Sequence, residues 1–222
     1  MIVIATNNGW NYLEQCLSRA IEFGTDNEKI LVVDTNSSDK SYIDFAKNIC
    51  NKYNVEFGQL SYSGYDFGAY MWAYRNYIDD FYFFQHDSIF IKNSESIKKI
   101  KSQISENAVC AWVKFSKHVC PFDNIEQQTW LKDKLGTDNY DYGIYGPNFG
   151  LLRSTLDRII DKLNFTVDNK LQQQGMERGW AILFKQLDII VHGLEDPTSQ
   201  FNHRFHSDDF LYFTKVKHTP RT

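Results

Sequence analysis

The chain opens on a short apolar run, Ile2-Val3-Ile4-Ala5-Thr6, which stops at Asn7-Asn8-Gly9, a turn signal. Such a run predicts a strand buried on both faces. The period then changes: Leu13, Cys16, Leu17, Ala20 and Ile21 fall on one helical face, and Gly24 closes the helix. A second apolar run, Lys29–Val33, ends on Asp34-Thr35-Asn36-Ser37-Ser38-Asp39, and Tyr42, Phe45, Ala46 and Ile49 resume helical spacing. A third strand is expected over Val55–Tyr62 and a third helix over Phe67–Ile78. The segment Asp80–Asn93 dominates the pattern: Phe81, Tyr82, Phe83 and Phe84 run into Gln85-His86-Asp87-Ser88, and Ile89-Phe90-Ile91 restores the apolar character.

Beyond it, Ser94 is placed to cap a helix bearing Ile97, Ile100 and Ile104, and Ala108–Phe115 reads as a strand. Ser116–Tyr145 reads as irregular, a long loop of the kind that serves as a lid or acceptor loop. After Gly146-Pro147-Asn148-Phe149-Gly150, a helix carries Leu156, Ile159, Ile160 and Leu163. Another spans Met176–Leu187 with Trp180, Leu183, Phe184 and Leu187 inward, and Asp188–His192 predicts a last core strand before a tail from Gly193. Strand and helix alternate throughout, which predicts an α/β fold with a mostly parallel central sheet and helices on both faces. The expected organisation is one domain over 1–222: a half over 1–93, a second over 94–192 and a tail over 193–222.

Composition narrows the chemistry. The net charge of −4 argues against nucleic acid as partner, so a polyphosphate ligand would need a metal or a local Arg or Lys to meet it. Cys16, Cys50, Cys110 and Cys120 show no C-x-x-C spacing and suit buried thiols in a reducing compartment. No apolar run approaches a bilayer span, and the opening residues are too short for a secretory signal; a soluble, cytoplasmic protein is expected. Neither G-x-G-x-x-G nor a P-loop follows the first strand.

Two carboxylates stand out. Asp87 falls at the carboxyl end of the aromatic strand, the sheet edge where open α/β folds bind ligands. It is expected to hold a divalent cation that holds a nucleotide diphosphate; the alternative is a polar turn between two strands. Glu177 precedes Trp180 and Phe184 by three and seven positions, so it shares their apolar helix face. Desolvation there raises a carboxyl pKa towards that of a general base. The alternative is a helix-start glutamate favoured by the dipole.

Several motifs, in order, resemble the GT-A glycosyltransferases, and family 2 most closely. Ala5-Thr6-Asn7-Asn8 is similar to that family's T-x-N end of the first strand, and Val32–Asp39 to its V-V-D-D-G-S-x-D segment. Gly68–Asn76, with Arg75-Asn76, looks like the helix preceding the metal strand. Phe83–Phe90 resembles the metal motif with Gln85-His86 in place of the first acid, and Gly146–Arg153 resembles G-G-N-x-x-x-R-R. Met176-Glu177-Arg178 stands where the acidic catalytic base belongs.

The resemblance implies a metal-dependent transferase that moves a sugar from a nucleotide-diphosphate donor to a hydroxyl of a glycan or other acceptor, inverting, with Glu177 as base. By the same resemblance Thr6, Asn7 and Asp34 hold the nucleoside, Asp34 accepting from a uracil imide, which favours a UDP-sugar. Asp34 as a turn residue bonding the Asn36-Ser37 backbone is the other reading. Arg75 is a phosphate or base contact, or a solvated helix residue; His86 contacts sugar or ribose, or is a turn histidine. Arg204 meets the diphosphate. Asp87, with His192, His203 or His206, makes up the metal set, and imidazole leans towards Mn²⁺ over Mg²⁺. Gly146, Asn148, Trp130 and Trp180 are the implied acceptor contacts. A retaining transferase, a nucleotidyltransferase, a non-catalytic binding domain and a protein-binding scaffold are the competing readings.

Overall fold

The computed structural model describes residues 1–24, 28–118, 124–195 and 211–215. The first half alternates strictly: β1 (Ile2–Thr6), α1 (Leu13–Phe23), β2 (Ile30–Asp34), α2 (Lys40–Lys52), β3 (Glu56–Gln59), α3 (Tyr65–Asn76) and β4 (Phe81–His86). Then come β5 (Ile89–Ile91), α4 (Glu95–Gln103), β6 (Ala108–Ser116), α5 (Ile125–Leu135), β7 (Tyr142–Ile144) and β8 (Phe149–Leu152). The chain continues through α6 (Arg153–Ile159), a 3-10 turn (Ile160–Leu163), α7 (Lys170–Gln186), β9 (Ile190–Glu195) and β10 (Phe213–Lys215).

The main sheet has the order β3-β2-β1-β4-β8-β6-β7, and β9 also pairs with β6. Pairing is parallel for β1 with β2 and β4, for β2 with β3 and for β6 with β9. β8 runs antiparallel between β4 and β6. β10 forms a separate antiparallel pair with β5. The α/β expectation with a mostly parallel sheet and helices on both faces holds, because β1, β2 and β3 are each followed by a helix that carries the chain back to start the next parallel strand.

Each face of the sheet carries its own core. Ile2, Ile4, Phe81 and Phe83 pack with Leu13, Leu17, Tyr42 and Ile97 on one side. Val3, Ala5, Tyr82 and Phe84 pack with Phe67, Tyr70, Trp180 and Phe184 on the other. The four aromatics of β4 thus divide between both cores by the strand's period of two. On the second side Tyr70 stacks on Phe84 at 4.3 Å between centroids, and Phe149 meets Phe84 edge-on.

Several boundaries differ from the sequence pattern. Ser116–Tyr145 is not one irregular loop: it contains α5 and β7. α5 has its signals in plain view, since Asn124 accepts from the Glu126 N–H at its start and Gly136 takes a left-handed conformation (φ 75°) at its end. Its mixed polar sequence hid it. α7 begins at Lys170 rather than Met176, capped by Asn169, whose side chain accepts from the Gln172 N–H. Ser94 has a helical backbone and caps nothing; the Asn93 side chain accepts from the Glu95 N–H instead. Ile21 leaves the buried face of α1 and is 44% exposed. Among the described residues no helix is long and apolar enough to cross a membrane.

Trp180, implied as an acceptor contact, is fully buried among Phe149, Phe67 and Phe184, with centroids 5.0 to 6.1 Å away. Period-3.6 geometry turns it into the sheet-facing core, out of reach of any ligand. Trp180→Ala is therefore expected to lower the unfolding free energy by about 3–5 kcal/mol in a denaturant titration; a loss near zero would contradict the packing described.

Candidate active site

The carboxyl ends of β1, β2 and β4 lie side by side, because Thr6 is in register with Asp34, and Ala5 with His86. Asp87 extends this edge: its N–H donates to Ala5 O at 3.0 Å. Alternation along β4 sends Gln85 and Asp87 towards α1 and His86 the other way. Gln85 donates to Cys16 Sγ and to Ile89 O, and is fully buried. Asp87 points under the loop between β1 and α1, where Oδ2 accepts from Thr6 Oγ1 at 2.7 Å and Oδ1 lies 3.0 Å from His86 Nδ1. Only 2% of it is exposed. Gly9 closes over it: a Cβ on that residue would stand 2.1 Å from Asp87 Oδ2. Thr6 is itself buried and hydrogen-bonded to Tyr42.

His86 faces the opposite side, one quarter exposed, with Nε2 3.6 Å from Asp66 Oδ1 in the first turn of α3. Gln173 of α7 donates to the other oxygen of Asp66 at 3.1 Å. Burial works against a charged imidazole here, but Asp66 and then Asp87 outweigh it and raise the His86 pKa above its ordinary value. Beneath, the His86 N–H donates to Asn148 Oδ1 at 3.0 Å, which fixes the buried Asn148 amide. Its Nδ2 has no partner among the described residues.

Glu177 approaches from α7. Its Oε1 accepts from the Gly146 N–H at 3.2 Å, and Gly146 sits at φ 53°, a backbone that favours glycine. Only 18% of the Glu177 side chain is exposed. Burial raises its pKa; Arg178, Lys215 and the Gly146 N–H oppose the shift without cancelling it. Glu177 lies well inside α7, so the helix-start reading does not apply. β10 adds Lys215, whose Nζ donates to Tyr145 Oη at 2.8 Å. Burial lowers the Lys215 pKa, opposed by Glu177 and Asp66.

No family model and no curated protein matches this sequence. Solved structures do match. S. aureus TarS 1–349 in complex with UDP-GlcNAc aligns with a TM-score of 0.55 at 16% identity, over 99% of this chain and 59% of that one. GalNAc-T7 with UDP, GalNAc and Mn²⁺ gives 0.56 at 10%, over 82% and 40%. A nucleotidyl transferase from Methanothermobacter gives 0.53 at 8%, over 87% of each chain. The fold is GT-A. This chain spans less than two thirds of the length of the TarS structures it matches.

Within this GT-A sheet, the expected site residues separate into two groups. Thr6, Asn7, Asp34, His86 and Asp87 gather at one sheet edge, and Gly146, Asn148 and Glu177 join them. Among these, Asn7, His86, Gly146 and Glu177 keep exposed surface. Asp34 does not: it is fully buried and both oxygens accept from Ser37, one from its N–H at 3.0 Å and one from its hydroxyl. Its role is the β2–α2 turn, and the basis for a uracil contact falls away.

Other expected residues lie elsewhere. Arg75 is exposed at the far end of α3, nine residues beyond Asp66, about 14 Å along the helix. His192 pairs with Cys110, which pairs with Gly150, which pairs with Phe83; it is three strand spacings, about 14 Å, from β4. Trp130 on α5 packs edge-on against Phe165, near Gly175 of α7. Glu177, two residues on, faces away from that contact. His203, His206 and Arg204 lie outside the described residues.

The metal expectation meets the same test. The Asp87 carboxylate is buried, covered by Gly9 and engaged by Thr6 and His86, so it presents no open oxygen to a cation. Among the described residues no three His, Cys, Asp or Glu side chains converge on one point. The residues at this edge therefore do not fit a cation held by Asp87. Sequence reasoning passed over Asp66 and Lys215; Asp66 carries a signal, an acid in the first turn of a helix aimed at the ligand edge, whereas Lys215 carries none.

The raised His86 pKa has a defined consequence for stability. The folded state holds the extra proton, so this contribution is complete below pH 6.5 and disappears as pH rises through the higher folded value. Wild type is expected to lose stability relative to His86→Gln as pH climbs from about 6 to about 8, read by denaturation at each pH. Parallel curves for the two proteins would exclude the ion pairing.

Proposed function

We propose that this chain is a glycosyltransferase domain that moves a sugar from a nucleotide-diphosphate donor to a hydroxyl acceptor. The observation that carries the reading is Glu177: a largely buried carboxylate, oriented by the Gly146 N–H and under the charge of Lys215, on a GT-A sheet. The donor lies across the carboxyl ends of β1 and β4, with Asn7 and His86 as its exposed contacts. The acceptor enters on the Gly146–Asn148 side.

In the reaction, an acceptor oxygen attacks the anomeric carbon while the bond from that carbon to the diphosphate oxygen breaks. The diphosphate leaves with the bonding electrons, and the acceptor proton passes to Glu177. One in-line displacement inverts the anomeric centre. A raised pKa makes Glu177 a stronger proton acceptor than a solvated carboxylate, and it must be ionised to act. Several relatives in structure were solved with nucleotide-sugars or their parts, among them UDP-GlcNAc and, for a Pyrobaculum mannosyltransferase, GDP-Man with Mn²⁺, which supports the donor class. With Asp34 committed to its turn, the base is left open between uracil and guanine.

The match over 87% of both chains to a nucleotidyl transferase favours a second reading, transfer of a nucleotidyl group with release of pyrophosphate. Against it, Thr6-Asn7-Asn8-Gly9 offers no Lys or Arg to a triphosphate. UDP- and GDP-sugars assayed for release of nucleoside diphosphate, and nucleoside triphosphates with a sugar 1-phosphate assayed for release of pyrophosphate, each with and without Mn²⁺, separate the two. Glu177→Gln is expected to retain donor binding and lose about 10²-fold or more in transfer rate. The wild-type rate should fall as pH drops through a pKa above 4.5. Transfer by Glu177→Gln at the wild-type rate would remove this residue from the mechanism.

A further inference from the structure

We propose that Lys215, delivered by the last described strand, is the cation that receives the donor's diphosphate, without a metal at Asp87. This rests on the donor-binding reading above and names the residue that meets the leaving group.

β10 is firmly seated. Phe213, Thr214 and Lys215 pair with Ile91, Phe90 and Ile89, so the strand lies against the segment that directly follows Asp87-Ser88. Phe213 is fully buried, 5.5 Å from Phe83 and 5.8 Å from Trp112 between ring centroids. Just before it, Tyr212 N–H donates to Glu195 Oε1 at 2.6 Å, and Tyr212 O accepts from Lys92 N–H and Ser96 Oγ. These contacts leave Lys215 no choice of side. Its ammonium comes to rest on Tyr145, the residue next to Gly146, with Nζ 4.4 Å from the ring centroid.

The ammonium's hydrogen-bond partner is a neutral phenol, and among the described residues no carboxylate lies within 4.0 Å of it. The charges that face it are Glu177 of α7, Asp66 of α3 and His86 of β4. Asp66 and Asp87 are already shared with the His86 imidazole between them. Among the described residues this half-buried lysine has no ion-pair partner within 4.0 Å, only the more distant charges of Glu177 and Asp66, and such an ammonium gains from an anion that arrives beside it. It stands beside the base and at the ligand edge, where a diphosphate leaves; a lysine serves such a group as a point charge.

The test is calorimetric titration of the full chain with UDP, GDP, UMP and uridine, in EDTA and in Mn²⁺. Wild type is compared with Lys215→Met, Lys215→Gln and Lys215→Arg, each checked for a cooperative melt. Wild type is expected to bind one nucleoside diphosphate in EDTA. Lys215→Met and Lys215→Gln should weaken it roughly tenfold or more, leave the nucleoside unchanged, and Lys215→Arg should recover part of the loss. Two results overturn the proposal alone: diphosphate binding at wild-type strength by a folded Met or Gln variant, or wild-type binding that needs Mn²⁺. If wild type binds no nucleotide under either condition, the donor-binding reading fails and this assignment with it.

Discussion

The carboxylate of Asp87, held between the Thr6 hydroxyl and the His86 imidazole, ties together the ends of the two central parallel strands. β1 and β4 occupy the middle of the sheet, so whatever fixes their carboxyl ends fixes the centre of this sheet edge. Burying a carboxylate is unfavourable unless its oxygens are satisfied, and charge-assisted bonds of this kind are among the stronger ones a protein makes. Gly9 is part of the same arrangement, because any larger residue would drive into Asp87 Oδ2. The loop carrying Asn7 is thereby held down over the sheet edge.

From that point the charges of the cleft are arranged in two tiers. Asp66, His86 and Asp87 form a row in which one imidazole lies between two acids. Across from it, Glu177 and Lys215 share a half-buried space and shift each other's titration in opposite senses from that of burial. One tier lies along the end of β4, and the other lies between α7, Tyr145 and β10. The residues come from separate elements: α3, the end of β4 and α7 bring the acids and the imidazole, and β10, after α7, brings the lysine.

α7 shows how one helix serves core and cleft together. Gly175 and Gly179 let Trp130 and Leu131 of α5 come close on one face. Trp180 and Phe184 fill the core beneath the sheet, and Glu177, on the same face, reaches Gly146 at the edge of that core. The position of Glu177 thus depends on the packing of the whole layer, which explains why a residue in the middle of a long helix can be held in a defined orientation with one backbone hydrogen bond.

Much of this was written in local pattern. The alternation of strand and helix, the burial of β1, β2 and β4 on both faces, with it that of the four aromatics of β4, and the inward placement of Glu177 all follow from periods of 2.0 and 3.6 read along the chain, whereas β3 and β9 are largely exposed. The signals of α5, Asn124 and Gly136, were equally local, and only its mixed polarity concealed it. Tertiary structure alone decided the rest. Whether Asp87 would meet a ligand depended on the loop that covers it, and the distance of His192 on the register of four strands. Asp66 reaches His86 because α3 begins at the sheet edge where β4 ends, and Lys215 reaches Tyr145 because β10 pairs with β5. Periodicity tells a side chain which face it is on; only strand order and register tell it which distant residue shares that face.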